Sequence, residues 1–350
     1  MRSLALIKSH HLLVHCYRLW LLPVLLLLCF HLPRHAHAFT LITFDVDGTL
    51  VRGSGQEADT SAHTKAFAHA CGKILGDGIT PTKPVAQALP QHLFHGSTDG
   101  LILCRLAKAE LDVNQVSESQ LEALFEAMYA YIAALEDDQV AKGIEPLPGV
   151  LEQLATLAQM QQQPNSKVAC GLVTGNVEGI ARRKMRAVGV LETRALAPPS
   201  PEQMERNYKW PGAQDIGFLG GFGSDYCSRD IQDISRNYLD RGTQIAIAAR
   251  RCQSTLPPSG QLERVVHVGD APADVLAAKS YSEQLLVTAN DNDSNKNVMC
   301  VGMVAVATGS YSAEQLREAA GEPIPGRWEP VVLEQGMADP RFLEACGIQQ

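Results

Sequence analysis

The sequence predicts an α/β protein: a doubly wound parallel sheet interrupted, soon after its first strand, by an all-helical insert. Three observations lead there. From Leu147 onward, short apolar runs of strand character alternate with amphipathic helical stretches. Between Gly53 and Glu145, a block of roughly 90 residues carries helical spacing and no convincing strand. The polar residues with chemical potential follow directly on apolar runs, at the strand ends where parallel sheets bind ligands.

Taken in order, Arg2, Lys8 and Arg18 precede an apolar run from Leu19 to Phe30, and Ala36-His37-Ala38 offers a small-x-small cleavage site. A secretory signal peptide over residues 1–38, cut before Phe39, is the expectation. The run is about 12 residues with Pro23 inside it, short of the roughly 20 that span a bilayer, which leaves an uncleaved anchor as the alternative. The Ala38-Phe39 junction also resembles presequences that direct import into secondary plastids. The expected route is therefore the secretory pathway, without stable membrane insertion after cleavage, or plastid import through a signal-type presequence.

Leu41-Ile42-Thr43-Phe44 reads as a buried first strand, so residues 39–52 open the α/β core. The helical cap follows over 53–144, with helices expected from Thr60 to Leu75, from Asp99 to Leu111, and over Leu121, Leu124, Phe125, Met128, Ile132 and Leu135 behind a Ser117/Gln120 capping box. The core resumes over 145–350. It brings a helix from Val150 to Met160, a strand over Lys167–Val173, a helix from Ile180 to Val188, a strand over Val265–Gly269 and a helix from Asp274 to Ser280. Short strands are expected at Gln284–Thr288, Met303–Ala307 and Val331–Leu333.

Composition excludes some classes. The formal net charge is -8, and no Lys/Arg stripe interleaves with aromatics, so nucleic acid is not an expected partner. Nine cysteines are scattered singly, two of them (Cys16 and Cys29) in the leader; without a Cys-x-x-Cys pair they suggest neither a zinc site nor a disulfide framework. A glycosylation sequon, Asn292-Asp293-Ser294, lies in a polar stretch.

Three stations carry the chemistry. The first strand ends in Asp45-Val46-Asp47-Gly48-Thr49, two carboxylates beside a turn rich in free N–H groups. They can hold a divalent cation while one attacks a phosphorus atom. A plain Asx-type turn is the bland alternative. A calcium loop is ruled out, because Leu50 and Gln56 stand where that motif needs Gly and Glu. The second station, Val173-Thr174-Gly175-Asn176, suits a helix cap or a phosphate contact equally. The third, Gly269-Asp270-Ala271-Pro272-Ala273-Asp274, places two acids at the start of a helix. Any one of them has an innocent structural reading; three in this order, each after its own strand, do not.

The ordered set resembles the haloacid dehalogenase-like hydrolase superfamily, in the branch with a helical cap after the first strand. Gly96-Ser97-Thr98-Asp99, Pro148-Gly149-Val150 and Gly220-Gly221-Phe222-Gly223-Ser224-Asp225 resemble phosphoglycolate-phosphatase-like members. The resemblance implies a Rossmann-like core and a Mg²⁺-dependent phosphatase acting on a small phosphorylated metabolite. It implies Asp45 as nucleophile forming an aspartyl-phosphate, and Asp47 as general acid–base. Mg²⁺ would be held by Asp45, the main-chain carbonyl of Asp47 and Asp270, with Asp274 supporting. Gly48, Thr174, Gly175 and Asn176 would bind the phosphoryl group. The cation expected to face Asp45 is matched best by Arg229, with Lys209, Arg250 and Arg251 as competitors. Asp47 argues for phosphoryl transfer over dehalogenation, since dehalogenases of the family lack it.

His95 and Asp99 sit near the substrate-facing loop of the cap, where Asp99 reads equally as a helix N-cap; His267 reads as a core histidine. A phosphomutase of the same fold remains an alternative, although those relatives tend to carry Val where Thr49 stands. A cap-bearing binding protein without catalysis is the other.

Overall fold

The computed structural model describes residues 37–53, 61–90, 93–94, 96–196, 219–290 and 299–348. Most of the leader, His95, Lys209 and the sequon at Asn292 lie outside the described residues. β1 (His37–Phe44) leads through a tight turn to β2 (Val51–Gly53). Between β2 and β3 (Ile144–Pro146) the described elements are all helices: α1 (Ala62–Leu75), α2 (Val85–Ala88), α3 (Asp99–Leu111), α4 (Glu118–Ala133) and α5 (Asp137–Ala141). Ser61, Thr98 and Ser117 cap three of them through their hydroxyls, and Ser117 with Gln120 closes the expected capping box. β2 and β3 pair antiparallel at the base of this insert, with Arg52 and Glu145 ion-paired at 2.8 Å.

The chain then alternates: α6 (Val150–Gln161), β4 (Val168–Thr174), α7 (Glu178–Ala187), β5 (Gly220–Phe222), α8 (Tyr238–Thr255), β6 (Gly260–Gly269), α9 (Pro272–Asn290), β7 (Cys300–Val306), α10 (Ala313–Ala320), β8 (Trp328–Leu333) and α11 (Phe342–Ala345). The main sheet has six strands in the order β5-β4-β1-β6-β7-β8, a doubly wound parallel sheet as expected. The strand period of two explains why both faces are apolar. Ile42, Phe44, Leu172, Val268 and Val304 turn toward α6 and the C-terminal segment. Leu41, Val173, Val265 and Met303 turn toward α8, α9 and α10. The insert has its own core of Phe67, Leu103, Leu106, Leu124 and Met128, to which Val177 and Ile180 of the sheet-side chain are added.

Two elements depart from expectation. Gln284–Thr288 is not a strand but the last part of α9. Val275, Ala278 and Tyr281 are buried and Leu285 is partly buried, while Val287 is exposed, so this apolar run follows helical and not strand spacing. An edge strand appears instead at β5, where a Cβ at Gly221 would overlap the backbone of Gln244 in α8. Two glycines hide a strand from any propensity argument. α8 had no counterpart in the expected elements either.

Candidate active site

The turn after β1 is fixed by backbone bonds, from Gly48 N–H to the Val51 carbonyl and from Leu50 and Val51 N–H to the Val46 carbonyl. Gly48 adopts φ +89°, a left-handed conformation, and a Cβ there would overlap the Asp270 carboxylate. The turn therefore needs glycine twice over. It buries Asp45 while leaving the Asp47 side chain about half exposed (49 %). Thr49 donates to Asp270 Oδ1 at 3.2 Å, and Thr308 donates to the Gly48 carbonyl at 2.7 Å.

At the end of β4, the buried Thr174 hydroxyl bonds the Asp45 carboxylate and accepts from Asn176 N–H at 3.3 Å. Gly175 lets the strand-end loop lie against the Ser97–Thr98 backbone, where a Cβ would clash. Asn176 donates to Asp47 Oδ2 at 2.9 Å. On α7, two turns beyond Asn176, Lys184 reaches back to Asp47 (2.7 and 2.8 Å) and to Asn176 Oδ1 (3.0 Å). Desolvation inside the cavity would by itself raise the Asp47 carboxyl, half exposed though its side chain is. The Lys184 ammonium, with the hydrogen bonds from Lys184 and Asn176, outweighs it and holds Asp47 down at about 2, and His63 adds to this only when its ring is protonated.

β6 ends at Gly269, where a Cβ would meet the Asp274 side chain folded back over the turn. Asp274 accepts from Ala271 N–H at 3.0 Å and is bonded by Arg241 of α8. Arg241 also stands 3.5 Å from Asp45. Oxygens of Asp45, Asp270 and Asp274 lie within 4.8 Å of one another, all buried. Burial and the Asp45 charge push Asp270 up to about 7 against the pull of Arg241; burial raises Asp45 as well. With Asp47 included, four carboxylates face two cations, Arg241 and Lys184, which leaves the cluster short of positive charge. Hard oxygen donors with a negative excess fit a divalent cation such as Mg²⁺.

His267 lies fully buried beneath this cluster, its Nδ1 3.0 Å from the Thr43 hydroxyl and its Nε2 3.7 Å from Asp274. Burial, with Arg241, lowers it to about 3. The unfolded chain therefore takes up a proton below pH ~6.5 that the folded chain refuses, and stability falls as pH drops from there toward 3, by at most about 1.4 kcal/mol per unit. In urea titrations at pH 7 and pH 5, His267→Asn is expected to lose less stability on acidification than the parent. Equal losses would show that His267 does not set this slope.

The insert roofs a cavity of about 480 Å³ lined by Asp45, Asp47, Gly48, Asn176, Lys184, Arg241 and Asp270 on the sheet side. Asp99 docks α3 onto the loop after β4: its N–H donates to the Gly175 carbonyl and its carboxylate accepts from Val177 N–H, both at 2.8 Å. The N-cap of α3 is Thr98 and not Asp99.

Arg229 is not brought to this cavity. It occupies an exposed left-handed corner (φ +61°) and donates to the Val116 carbonyl at 3.4 Å. The reason is local: Asp240 accepts from both the N–H and the hydroxyl of Ser228, tying this loop to the start of α8. The next residue of that helix, Arg241, then turns inward. Arg251 is paired with Asp225 instead, at 2.6 and 2.7 Å, and Arg250 is exposed. Sequence reasoning missed both Arg241 and Lys184. Lys184 had a usable signal, a cation on the helix that starts directly after the second station.

Fold and site together define an α/β enzyme with its chemistry at the carboxyl ends of a parallel sheet. The chain belongs to the haloacid dehalogenase-like hydrolases: that family's model, described as "Hydrolase: haloacid dehalogenase-like hydrolase", matches residues 39–281. No curated protein matches it. Among solved structures it is similar to a hydrolase from Pseudomonas syringae, at 19% identity and a TM-score of 0.39, over 87% of this chain and 96% of that one. An archaeal beta-phosphoglucomutase from a hyperthermophilic Pyrococcus strain is similar at 13% identity and a TM-score of 0.29, over 80% and 90% of the two chains. Among the described residues, no helix is long and apolar enough to cross a membrane.

Proposed function

We propose that the protein is a Mg²⁺-dependent phosphatase that hydrolyses a phosphate monoester through an aspartyl-phosphate on Asp45. The observation that carries this reading is the facing of two strand-end acids, Asp45 and Asp47, by two separate cations, Arg241 at 3.5 Å and Lys184 at 2.7 Å. Asp45 and Asp270 would hold the metal, with the main-chain carbonyl of Asp47. Both oxygens of Asp274 are engaged, by Arg241 and Ala271, which favours a supporting role for it. Bound Mg²⁺ would offset the charge of the phosphoryl oxygens and orient the ester for in-line attack.

The protein's own groups supply the rest. Thr174 and Arg241 steady the Asp45 carboxylate for attack. Arg241, Lys184 and the N–H groups of the Gly48 turn would receive the phosphoryl oxygens. Once Lys184 turns to a phosphoryl oxygen its hold on Asp47 loosens. That carboxylate can then take up a proton from solvent, pass it to the leaving oxygen, and afterwards take one from the attacking water. The helical insert would act as the cap that excludes bulk water.

The test is a phosphate-release screen over soluble monoesters with and without EDTA. Release from at least one ester, abolished by EDTA and restored by Mg²⁺, is expected. Isomer exchange without net release would favour the phosphomutase reading. Metal-independent release would sink the proposal.

A further inference from the structure

The phosphate end of the cavity is acidic and cationic; the end formed by the insert is of a different character. There Phe67, Val85, Phe94, Ile102 and Ile144 supply apolar wall, beside the hydroxyls of Ser61, Thr64 and Ser97, which are already engaged with one another, with Arg105 or with Asn237. Among the described lining residues between Ser61 and Ile102, the only titratable ones are His63 and Asp99. They form one unit: His63 Nε2 lies 3.0 Å from Asp99 Oδ2, and the imidazole packs on Phe67 with centroids 4.9 Å apart. Asp99 is 2% exposed and is fixed independently by Val177 N–H, so the imidazole is anchored to a rigid acceptor. A carboxylate accepts only, so Nε2 carries the hydrogen and Nδ1 of the neutral ring is an acceptor.

We propose that this end of the cavity selects the alcohol half of the ester, that His63, oriented by Asp99, is the specificity-determining residue, and that the favoured alcohol has an apolar, ring-sized body bearing a hydrogen-bond donor. The inference rests on the phosphatase reading of the same site. Three physical points carry it. Aromatic and branched walls favour an apolar body over a polyol, whose hydroxyls they would leave unpaired. A second anionic group on the substrate would meet the buried Asp99 carboxylate, and no Lys or Arg of the insert is among the described lining residues to offset it. Besides Lys184 and Arg241, the cation among the described lining residues is Arg52, which is already paired with Glu145. A cavity of about 480 Å³ has room for a phosphoryl group with one ring.

The experiment separates this from the catalytic reading by measuring binding and turnover apart. Calorimetry on full-length Asp45→Asn with Mg²⁺ compares 2-phenylethyl phosphate, its para-hydroxylated analogue, glycerol phosphate and phosphoglycolate. The two aromatic esters share nearly the same leaving group and differ by one donor. Both are expected to bind at least about tenfold more tightly than the other two, with the hydroxylated ester the tighter. The hydroxyl preference is expected to vanish in His63→Leu and to survive in His63→Gln, which keeps an acceptor; unfolding curves show whether each variant is folded. Tighter binding of phosphoglycolate or glycerol phosphate overturns the inference, as does a hydroxyl preference unchanged in folded His63→Leu. If the parent protein releases no phosphate while the expected binding order holds, it is the phosphatase reading that falls.

Discussion

Asp45→Asn is expected to abolish phosphate release, by ~10⁴-fold or more, and to leave the fold as stable as before. The two halves of this result come from the same geometry. An amide cannot serve as the nucleophile, so the chemical step loses its first bond. Asn nevertheless retains an oxygen for the Thr174 hydroxyl and occupies nearly the same volume. It also removes the charge that, after burial, does most to raise Asp270. Asp270 should then ionise at lower pH in the variant than in the parent. Phosphate release, a urea midpoint and the Asp270 titration by carboxyl NMR check the three parts. Residual turnover within tenfold of the parent would assign the nucleophile elsewhere, while a collapsed midpoint would mean that Asp45 is chiefly structural.

How much of this was legible in the sequence differs between sheet and site. The acids after β1 and β6 could be read because each follows an apolar run directly, and a strand end leaves the chain little choice of where to put them. Helical spacing in the insert was equally plain, since its apolar positions face one another across α1, α3 and α4. The cations were not plain. Arg241 and Lys184 lie on helices, and a helix presents a cation to whatever element packs on that face; the partner is a tertiary fact that sequence distance does not encode. Arg229 was the natural expectation because it follows the Gly-Phe-Gly-Ser-Asp stretch. The bond between Ser228 and Asp240 is what hands the inward position to Arg241. β5 and the latter part of α9 show the same limit from the side of local structure. Two glycines lie in a strand because β4 packs closely on Gly220 and α8 on Gly221, and Leu285-Leu286-Val287 lie in a helix because its inner face is already defined by Val275, Ala278 and Tyr281.

Replacing Arg241 by Met is expected to cost roughly 3–5 kcal/mol of stability, with a pH dependence that identifies the cause. Arg241 is buried and is the cation shared by Asp45 and Asp274, which are themselves buried. Met fills comparable volume, so the loss is electrostatic and not a cavity. Without the guanidinium, Asp274 keeps the Ala271 N–H but loses its charged partner, and Asp45 and Asp270 face each other with less compensation. The folded state relieves this by holding protons that the unfolded chain has already released. Carboxyls raised in the folded state lose stability as pH rises from the unfolded value near 3.8 through the folded one. The variant should therefore lie closest to the parent at pH 5 and furthest from it at pH 8. Mg²⁺ supplies positive charge to the same oxygens, so millimolar Mg²⁺ should recover part of the deficit at pH 8 and little at pH 5. Arg241→Lys should fall between, restoring charge without the planar fork that reaches two carboxylates at once. Urea titrations at both pH values, with and without Mg²⁺, distinguish the cases. A deficit below about 1 kcal/mol that ignores both pH and Mg²⁺ would show that the carboxylate cluster does not depend on Arg241.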